Sequence, residues 1–244
     1  MKIGNTPIAG ARYWAALLAA GVVGTKMGDF MSANFDLDRL PGPIAMASVF
    51  AAILLAERRL RTGSEAFYWL AAVTVFSAAT GLGDMLKHGR PWYVALGSLT
   101  MALAIVQAAE KRFVPRHPGE LVTGIPNTDP FYWAALLVAG AMGTVVGDFV
   151  AEDIGLGVGL GSLALGILLA LALIARSMLG AIGRVPYWGT VAIVRCLATT
   201  TGDFFAGREG LHWTLPASIA FWAIALFAVL RVLPPPKRQE ATGG

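Results

Sequence analysis

The stretch YWAALLAAGVVGTKMGD, residues 13–29, places a lysine and an aspartate inside an apolar run long enough to enter a bilayer. The same pattern, a Tyr-Trp pair followed by Thr-x-x-Gly-Asp, occurs four times in the chain. In every copy the aspartate follows the tryptophan by fifteen residues, and these aspartates are Asp29, Asp84, Asp148 and Asp203. The sequence therefore predicts four tandem structural repeats.

The composition indicates an all-α, polytopic membrane protein. Hydrophobic residues make up 56% of the 244 residues and charged residues 14%, whereas soluble domains carry roughly 25% charged residues. The apolar residues fall into eight runs of helix length, which predict transmembrane helices over about 12–33, 42–60, 67–86, 92–111, 131–151, 154–175, 187–206 and 213–233. A single transmembrane domain over residues 1–233 is expected, followed by a disordered cytoplasmic tail over 234–244.

The repeats predict how the helices are arranged. Each repeat holds two predicted helices, and the repeats cover about 12–60, 67–112, 131–176 and 187–233. Because two is an even number, all four repeats have the same orientation, and their expected relation is rotation about an axis along the membrane normal. Thirteen lysines and arginines flank the helices on one side against four on the other, which predicts that both termini are cytoplasmic.

Four tandem two-helix repeats, each with a Tyr-Trp and a Thr-x-x-Gly-Asp, resemble a bacterial family of multi-pass membrane proteins built from a repeat of unknown function and described as membrane-anchored. The resemblance covers nearly the whole chain, from Tyr13 to about Leu233. It implies the eight-helix topology, and it implies no reaction or substrate. The expected location is the cell inner membrane. Lys26 departs from the small or neutral residue that such a motif is expected to carry.

The motifs predict a layer of polar groups near the outer end of the helices. Thr25 and Asp29 share a helix face with Trp14, and fifteen residues of helix rise about 22 Å, so a tryptophan at the inner interface puts its aspartate in the outer part of the membrane. The threonine hydroxyl lies one turn before the aspartate and could donate to its carboxylate. The expected ion- or substrate-binding residues are Asp29, Asp84, Asp148, Asp203, Thr25, Thr80, Thr144 and Thr199. The tryptophans are interpreted as an aromatic belt at the inner membrane interface.

Two repeats also carry a basic residue near the aspartate. Lys26 precedes Asp29 by three residues, and Arg195 precedes Asp203 by eight. We expect these two cations to neutralise those two aspartates. Asp84 and Asp148 then remain as the best candidates for binding a metal ion.

Three functions fit these features. The first is a transporter or exporter of a small cation, with or without proton coupling, whose ion site is formed by the aspartates and threonines. The second is a transporter of a small organic or anionic solute that uses Lys26 and Arg195. The third is a structural or partner-binding membrane protein whose aspartates cap the N-termini of neighbouring helices.

Other functions are disfavoured. The single cysteine, Cys196, excludes an intramolecular disulfide, and all three histidines lie in predicted loops, so no cofactor is expected. No catalytic motif is present, and four similar copies do not suit the differentiated roles of catalysis. The basic residues lie mainly in short loops, so the expected partner is the lipid bilayer and not nucleic acid. The small-residue helix faces fit a closed single chain or a homodimer equally.

Overall fold

A computed structural model describes residues 6–35, 41–60, 64–114, 124–178, 183–207 and 209–234. In these ranges the chain forms eight α-helices: α1 (Ala11–Phe35), α2 (Pro41–Leu60), α3 (Glu65–Lys87), α4 (Trp92–Phe113), α5 (Pro130–Asp148), α6 (Gly157–Met178), α7 (Arg184–Ala206) and α8 (Leu215–Val232). A π-helical turn, Phe149–Asp153, continues α5. All eight predicted helices are confirmed as helices. The predicted disordered tail, from residue 235 onward, lies outside the described residues.

Five of the helices are long and apolar enough to cross a membrane: α3, α4, α5 with its π-helical turn, α6 and α8. These helices and the internal repeat indicate a multi-pass membrane protein. The other three contain charged side chains that lower their hydropathy. Lys26 and Asp29 lie in α1, Arg195 lies in α7, and α2 ends in Glu57-Arg58-Arg59.

Polar residues fix where several helices begin. The Ser64 side chain accepts a hydrogen bond from the Ala66 N–H at the start of α3. The Asp129 side chain accepts one from the Tyr132 N–H at the start of α5, and Pro130 occupies the first turn, where a missing N–H costs nothing. These caps set the level at which Tyr68 and Tyr132 enter their helices.

The first helices of the four repeats form an inner ring. In this ring α1 contacts α3, α3 contacts α5, α5 contacts α7, and α7 contacts α1. The four tyrosines of the motifs meet at one end of the ring, and the four aspartates lie at the other. The inner helices therefore run parallel and enclose a common axis, which we call the ring axis.

The second helix of each repeat lies outside the ring. It packs mainly on the inner helix of the following repeat: α2 on α3, α4 on α5 and α6 on α7. The last outer helix, α8, packs on α1 and completes the circle. Each repeat therefore covers its neighbour, so the repeats interlock.

The Thr-x-x-Gly part of the motif brings the inner helices together. A Cβ built on the motif glycine would lie 3.0 Å from the Cβ of the motif threonine in the next repeat, in the pairs Gly28–Thr80, Gly83–Thr144 and Gly147–Thr199. At the fourth interface Gly202 faces the aliphatic part of Lys26 instead. The motif glycine thus permits the close backbone approach that small residues provide between membrane helices.

A second set of contacts, closer to the tyrosine end, reduces the fourfold arrangement to a pseudo-twofold one. At two interfaces a glycine faces a large residue, and at the other two an alanine faces a glycine. The pairs are Gly24–Phe76 and Gly143–Arg195, then Ala79–Gly140 and Ala198–Gly21. Repeats one and three therefore resemble each other, as do repeats two and four.

These contacts predict that Gly83→Ala destabilises the protein while Gly81→Ala does not. A methyl group at Gly83 would crowd Thr144 and the Ala141 carbonyl, at 3.0 and 3.2 Å, whereas Gly81 has open space around it. Overpacking should lower the free energy of unfolding by about 1–3 kcal/mol, and alanine in open helix should raise it by up to about 1 kcal/mol. Thermal unfolding in detergent measures both. Equal effects of the two substitutions would contradict the close approach.

Candidate functional site

A square of four tyrosine hydroxyls closes one end of the ring axis. The hydroxyl oxygens of neighbouring tyrosines lie 3.0 Å (Tyr13–Tyr68), 2.6 Å (Tyr68–Tyr132), 2.9 Å (Tyr132–Tyr187) and 2.6 Å (Tyr187–Tyr13) apart. All four side chains are fully buried. Each hydroxyl can donate to one neighbour and accept from the other, so the square satisfies its own hydrogen bonds.

The four tryptophans surround this square. Each packs against the tyrosine of the preceding repeat, with ring centroids 5.6–5.8 Å apart. Between 3% and 6% of each residue is exposed. The tryptophans were expected to form an aromatic belt at the inner membrane interface. The structure corrects this interpretation, because they pack on the tyrosines and are buried within the bundle.

Arg195 lies in the middle of the ring. Its side chain is fully buried and reaches from α7 to α1, where Nη1 donates to the Gly21 carbonyl at 2.9 Å and Nη2 donates to the Thr25 hydroxyl at 3.2 Å. The guanidinium carbon lies 4.3 Å from the centre of the Phe76 ring, a cation–π geometry. In repeats one and three the positions equivalent to Phe76 and Arg195 are occupied by Gly21 and Gly140. These glycines have no side chains and leave space for the Arg195–Phe76 pair.

Lys26 bridges the aspartates of the first and fourth repeats. Its Nζ lies 2.5 Å from an oxygen of Asp29 and 2.5 Å from an oxygen of Asp203, and 3% of the side chain is exposed. The bridge therefore ties α1 to α7. Asp203 is thus paired with Lys26, not with Arg195, contrary to the expectation from the sequence.

Lys87 bridges the other two aspartates, and this role was missed at the level of sequence. Its Nζ pairs with Asp148 of α5 and lies 3.5 Å from Asp84 of its own helix. Lys87 is the last residue of α3, and it was assigned to the outer loop because the predicted helix ended at residue 86. Its position three residues after Asp84, one helical turn away, was the available signal.

Asp84 and Asp148 were expected to be unpaired and therefore open to a metal ion. The structure corrects this expectation, because the ammonium group of Lys87 already lies between them. The four carboxylates and two ammonium groups of the two bridges together carry a formal charge of −2. Within the described ranges, no group of three or more His, Cys, Asp or Glu side chains is placed to hold a metal ion.

The motif threonines lie at the helix interfaces and not beside the carboxylates. Thr80 and Thr199 donate to the carbonyls of Phe76 and Arg195, one turn earlier in their own helices, each at 3.2 Å. Thr25 accepts from Arg195. The expected hydrogen bond from threonine to aspartate is thus replaced by these contacts, because the threonine side chain packs on the glycine of the neighbouring helix.

The four aspartates also do not act as helix caps in the described part of the chain. Their side-chain partners there are the two lysines, and no hydrogen bond joins them to a backbone N–H of a neighbouring helix. The interactions shown at this end of the ring are therefore ion pairs between carboxylates and ammonium groups.

This architecture defines an all-α, multi-pass protein with an internal repeat. The chain contains the repeat of unknown function DUF347, which matches residues 12–62 and 131–180. These matches coincide with the first and third predicted repeats and confirm the resemblance for those two copies. No curated protein and no solved structure matches the chain.

The tyrosine square predicts non-additive substitutions. Tyr68→Phe removes one hydroxyl and leaves its two neighbours with incomplete hydrogen bonds, so it should lower the free energy of unfolding by about 1–2 kcal/mol. Replacing all four tyrosines with phenylalanine should cost much less than four times that amount, because no buried hydroxyl is then left unpaired.

Thermal unfolding in detergent measures these effects, and Tyr93→Phe, at an exposed tyrosine of α4, is the control that should change nothing. Simple additivity of the four substitutions would contradict a cooperative square.

Proposed function

We propose that the chain is a membrane transporter of a small cation, and that Asp84, Lys87 and Asp148 form its cation-exchange site. The proposal includes eight transmembrane helices, a ring axis along the membrane normal, cytoplasmic termini and a location in the cell inner membrane. The tyrosine end of the ring then faces the cytoplasm, and the aspartate end faces outward. Proton coupling is a natural extension, because a carboxylate that binds a proton also releases its lysine.

The observation that carries the proposal is the difference between the two lysine bridges. Lys26 is nearly inaccessible, with 3% of its side chain exposed, and it contacts two carboxylates at 2.5 Å. Lys87 lies at a helix end with 27% of its side chain exposed, and its partners Asp84 and Asp148 are 47% and 17% exposed. The carboxylates around Lys26 are 29% (Asp29) and 31% (Asp203) exposed, so the two bridges differ mainly in the exposure of the lysine. The ammonium group of Lys87 can leave for solvent at low cost, whereas opening the other bridge would leave the buried ammonium group of Lys26 unpaired.

This difference gives Lys87 the role of an internal competitor. When its ammonium group moves into water, Asp84 and Asp148 present two carboxylates to an incoming cation. When the cation leaves, the ammonium returns and restores the ion pairs. Exchange of one cation for another keeps the charge of the site nearly constant, which lowers the electrostatic cost of each step.

The ring axis is closed in this conformation. The tyrosine square fills its inner end, and Arg195 with Phe76 fills the middle. Transport therefore requires the inner helices to separate at both layers. The interlocked outer helices would move with them, because each outer helix packs on the next repeat.

The alternative functions gain less support. Transport of an anionic solute was expected to use Lys26 and Arg195 as solute contacts. Lys26 does not suit that role, because it already pairs with two carboxylates. A purely structural role fits the buried Lys26 bridge, but it gives no reason for a second, exposed bridge at the same end.

Neutralising the exposed pair should abolish a response to cations. We expect one of Na⁺, K⁺, Mg²⁺, Ca²⁺ or Mn²⁺ to raise the unfolding temperature of the purified protein, with about 2.7 kcal/mol of stabilisation at a hundred times its dissociation constant. The Asp84→Asn/Asp148→Asn variant should lose that response. The matched Asp29→Asn/Asp203→Asn variant should be less stable, because Lys26 is left buried without a carboxylate, yet it should keep the response.

No response of the wild type to any of these cations would refute the proposal, and so would equal loss of the response in both variants. Flux measurements in vesicles then test whether a bound cation is also transported.

Removing the competitor should have the opposite effect. Lys87→Met leaves two carboxylates without an ammonium group, so the apparent affinity for the cation should rise by about tenfold or more, the equivalent of 1.4 kcal/mol. Lys26→Met serves as the control and should instead destabilise the protein by about 1–3 kcal/mol, because Asp29 and Asp203 lose the ammonium group that they share. Titration of the unfolding temperature against cation concentration separates the two effects. A weaker affinity in Lys87→Met would show that Lys87 assists binding and would contradict the exchange mechanism.

A further inference from the structure

The guanidinium of Arg195 is a buried cation without a buried counter-charge. Its polar contacts are the neutral Gly21 carbonyl and Thr25 hydroxyl, and its face lies on Phe76. Among the described residues it pairs with no carboxylate, and Asp203 lies eight residues away on the same helix, about 12 Å along its axis. Burying an ion costs several kcal/mol unless an opposite charge compensates it. The middle of the ring therefore favours a bound anion.

Two buried polar atoms of α5 and α7 have no hydrogen-bond partner among the described residues. They are Arg195 Nε and the Thr144 hydroxyl oxygen, and both are buried. A Cβ built on Gly140 of α5 would lie 3.6 Å from that Nε. Thr144 lies one helical turn after Gly140, on the same face of α5. Arg195 Nε and Thr144 therefore lie at the same face of α5, one helical turn apart.

Thr144 differs in this respect from the three equivalent threonines. Thr80 and Thr199 donate to the carbonyl four residues earlier, and Thr25 accepts from Arg195. The rest of the Thr144 side chain packs on Gly83, as the motif requires. Only its hydroxyl is left without a partner among these four, and it belongs to the helix that faces Arg195 Nε.

We propose that Arg195 Nε and the Thr144 hydroxyl bind a small monovalent anion, of halide size, inside the inner ring. Both groups are hydrogen-bond donors, as an anion requires, and the ion supplies the missing negative charge. Gly140 and Gly143, which have no side chains, allow α5 to approach Arg195 closely. This site is separate from the lysine bridges and stands independently of the proposed cation exchange.

Halide-dependent stability tests this site. The purified full-length protein is unfolded thermally in detergent while sodium gluconate is replaced by sodium bromide at constant sodium concentration and ionic strength. The unfolding temperature should rise with bromide and saturate. Thr144→Val should weaken the apparent bromide affinity by about tenfold, the usual effect of losing a hydrogen bond to a charged group.

Thr80→Val is the matched control. It is the same substitution at the equivalent position, but the Thr80 hydroxyl already has the Phe76 carbonyl as its partner, so the bromide affinity should not change. Equilibrium binding of radioactive chloride to the wild type gives a second measurement that needs no variant, with one ion per chain expected.

Identical stability in gluconate and bromide would refute the site. Equal weakening in Thr144→Val and Thr80→Val would also refute it. The Asp84→Asn/Asp148→Asn variant should keep the full bromide response, so failure of the cation proposal leaves this result unaffected.

Discussion

The close approach of a glycine backbone to a threonine side chain is the contact on which the rest of this structure depends. Each Thr-x-x-Gly-Asp motif gives its glycine to one neighbouring helix and its threonine to the other, as Gly83 and Thr80 do in α3. One motif therefore builds two interfaces, and four copies close a ring. The outer helices then pack mainly across these interfaces, with far less contact within their own repeats, so the circle closes only when α8 reaches α1.

Closing the ring directs the remaining motif residues towards one axis, where polar groups must find partners among themselves. The tyrosines do so at one end, because equivalent hydroxyls from four parallel helices meet at the same level. The aspartates need cations and receive one lysine for each pair. Arg195 is the exception, because the groups around it are neutral dipoles and an aromatic face. The repeat symmetry explains why the tyrosines meet one another and why the aspartates lie together. It supplies no counter-charge for Arg195, which occurs in a single repeat.

The apolar runs predict every helix to within three residues, because hydrophobic length is directly visible in a membrane sequence. The constant spacing of the motifs likewise predicts parallel repeats, from which the meeting of Tyr13 with its three equivalents follows. The ion pairs were harder to predict, because a lysine can extend towards either of two carboxylates. Eight residues separate Arg195 from Asp203, a rise of about 12 Å, so helix geometry alone argues against pairing them. Lys87 was missed because an error of one residue in a helix end moved it into a loop.

Lys26 and Lys87 occupy positions that are not equivalent in their repeats, and their two bridges therefore differ in exposure to water. Lys26 lies one turn before its aspartate, within the packed part of α1, so its bridge is shielded and joins α7 to α1. Lys87 lies one turn after its aspartate, at the end of α3, so its bridge reaches water and joins α3 to α5. The same charge pattern thus occurs at opposite interfaces of a pseudo-twofold ring in two environments. A shielded ion pair is costly to open and holds the helices together, whereas an exposed one contributes little to stability and can exchange its partner.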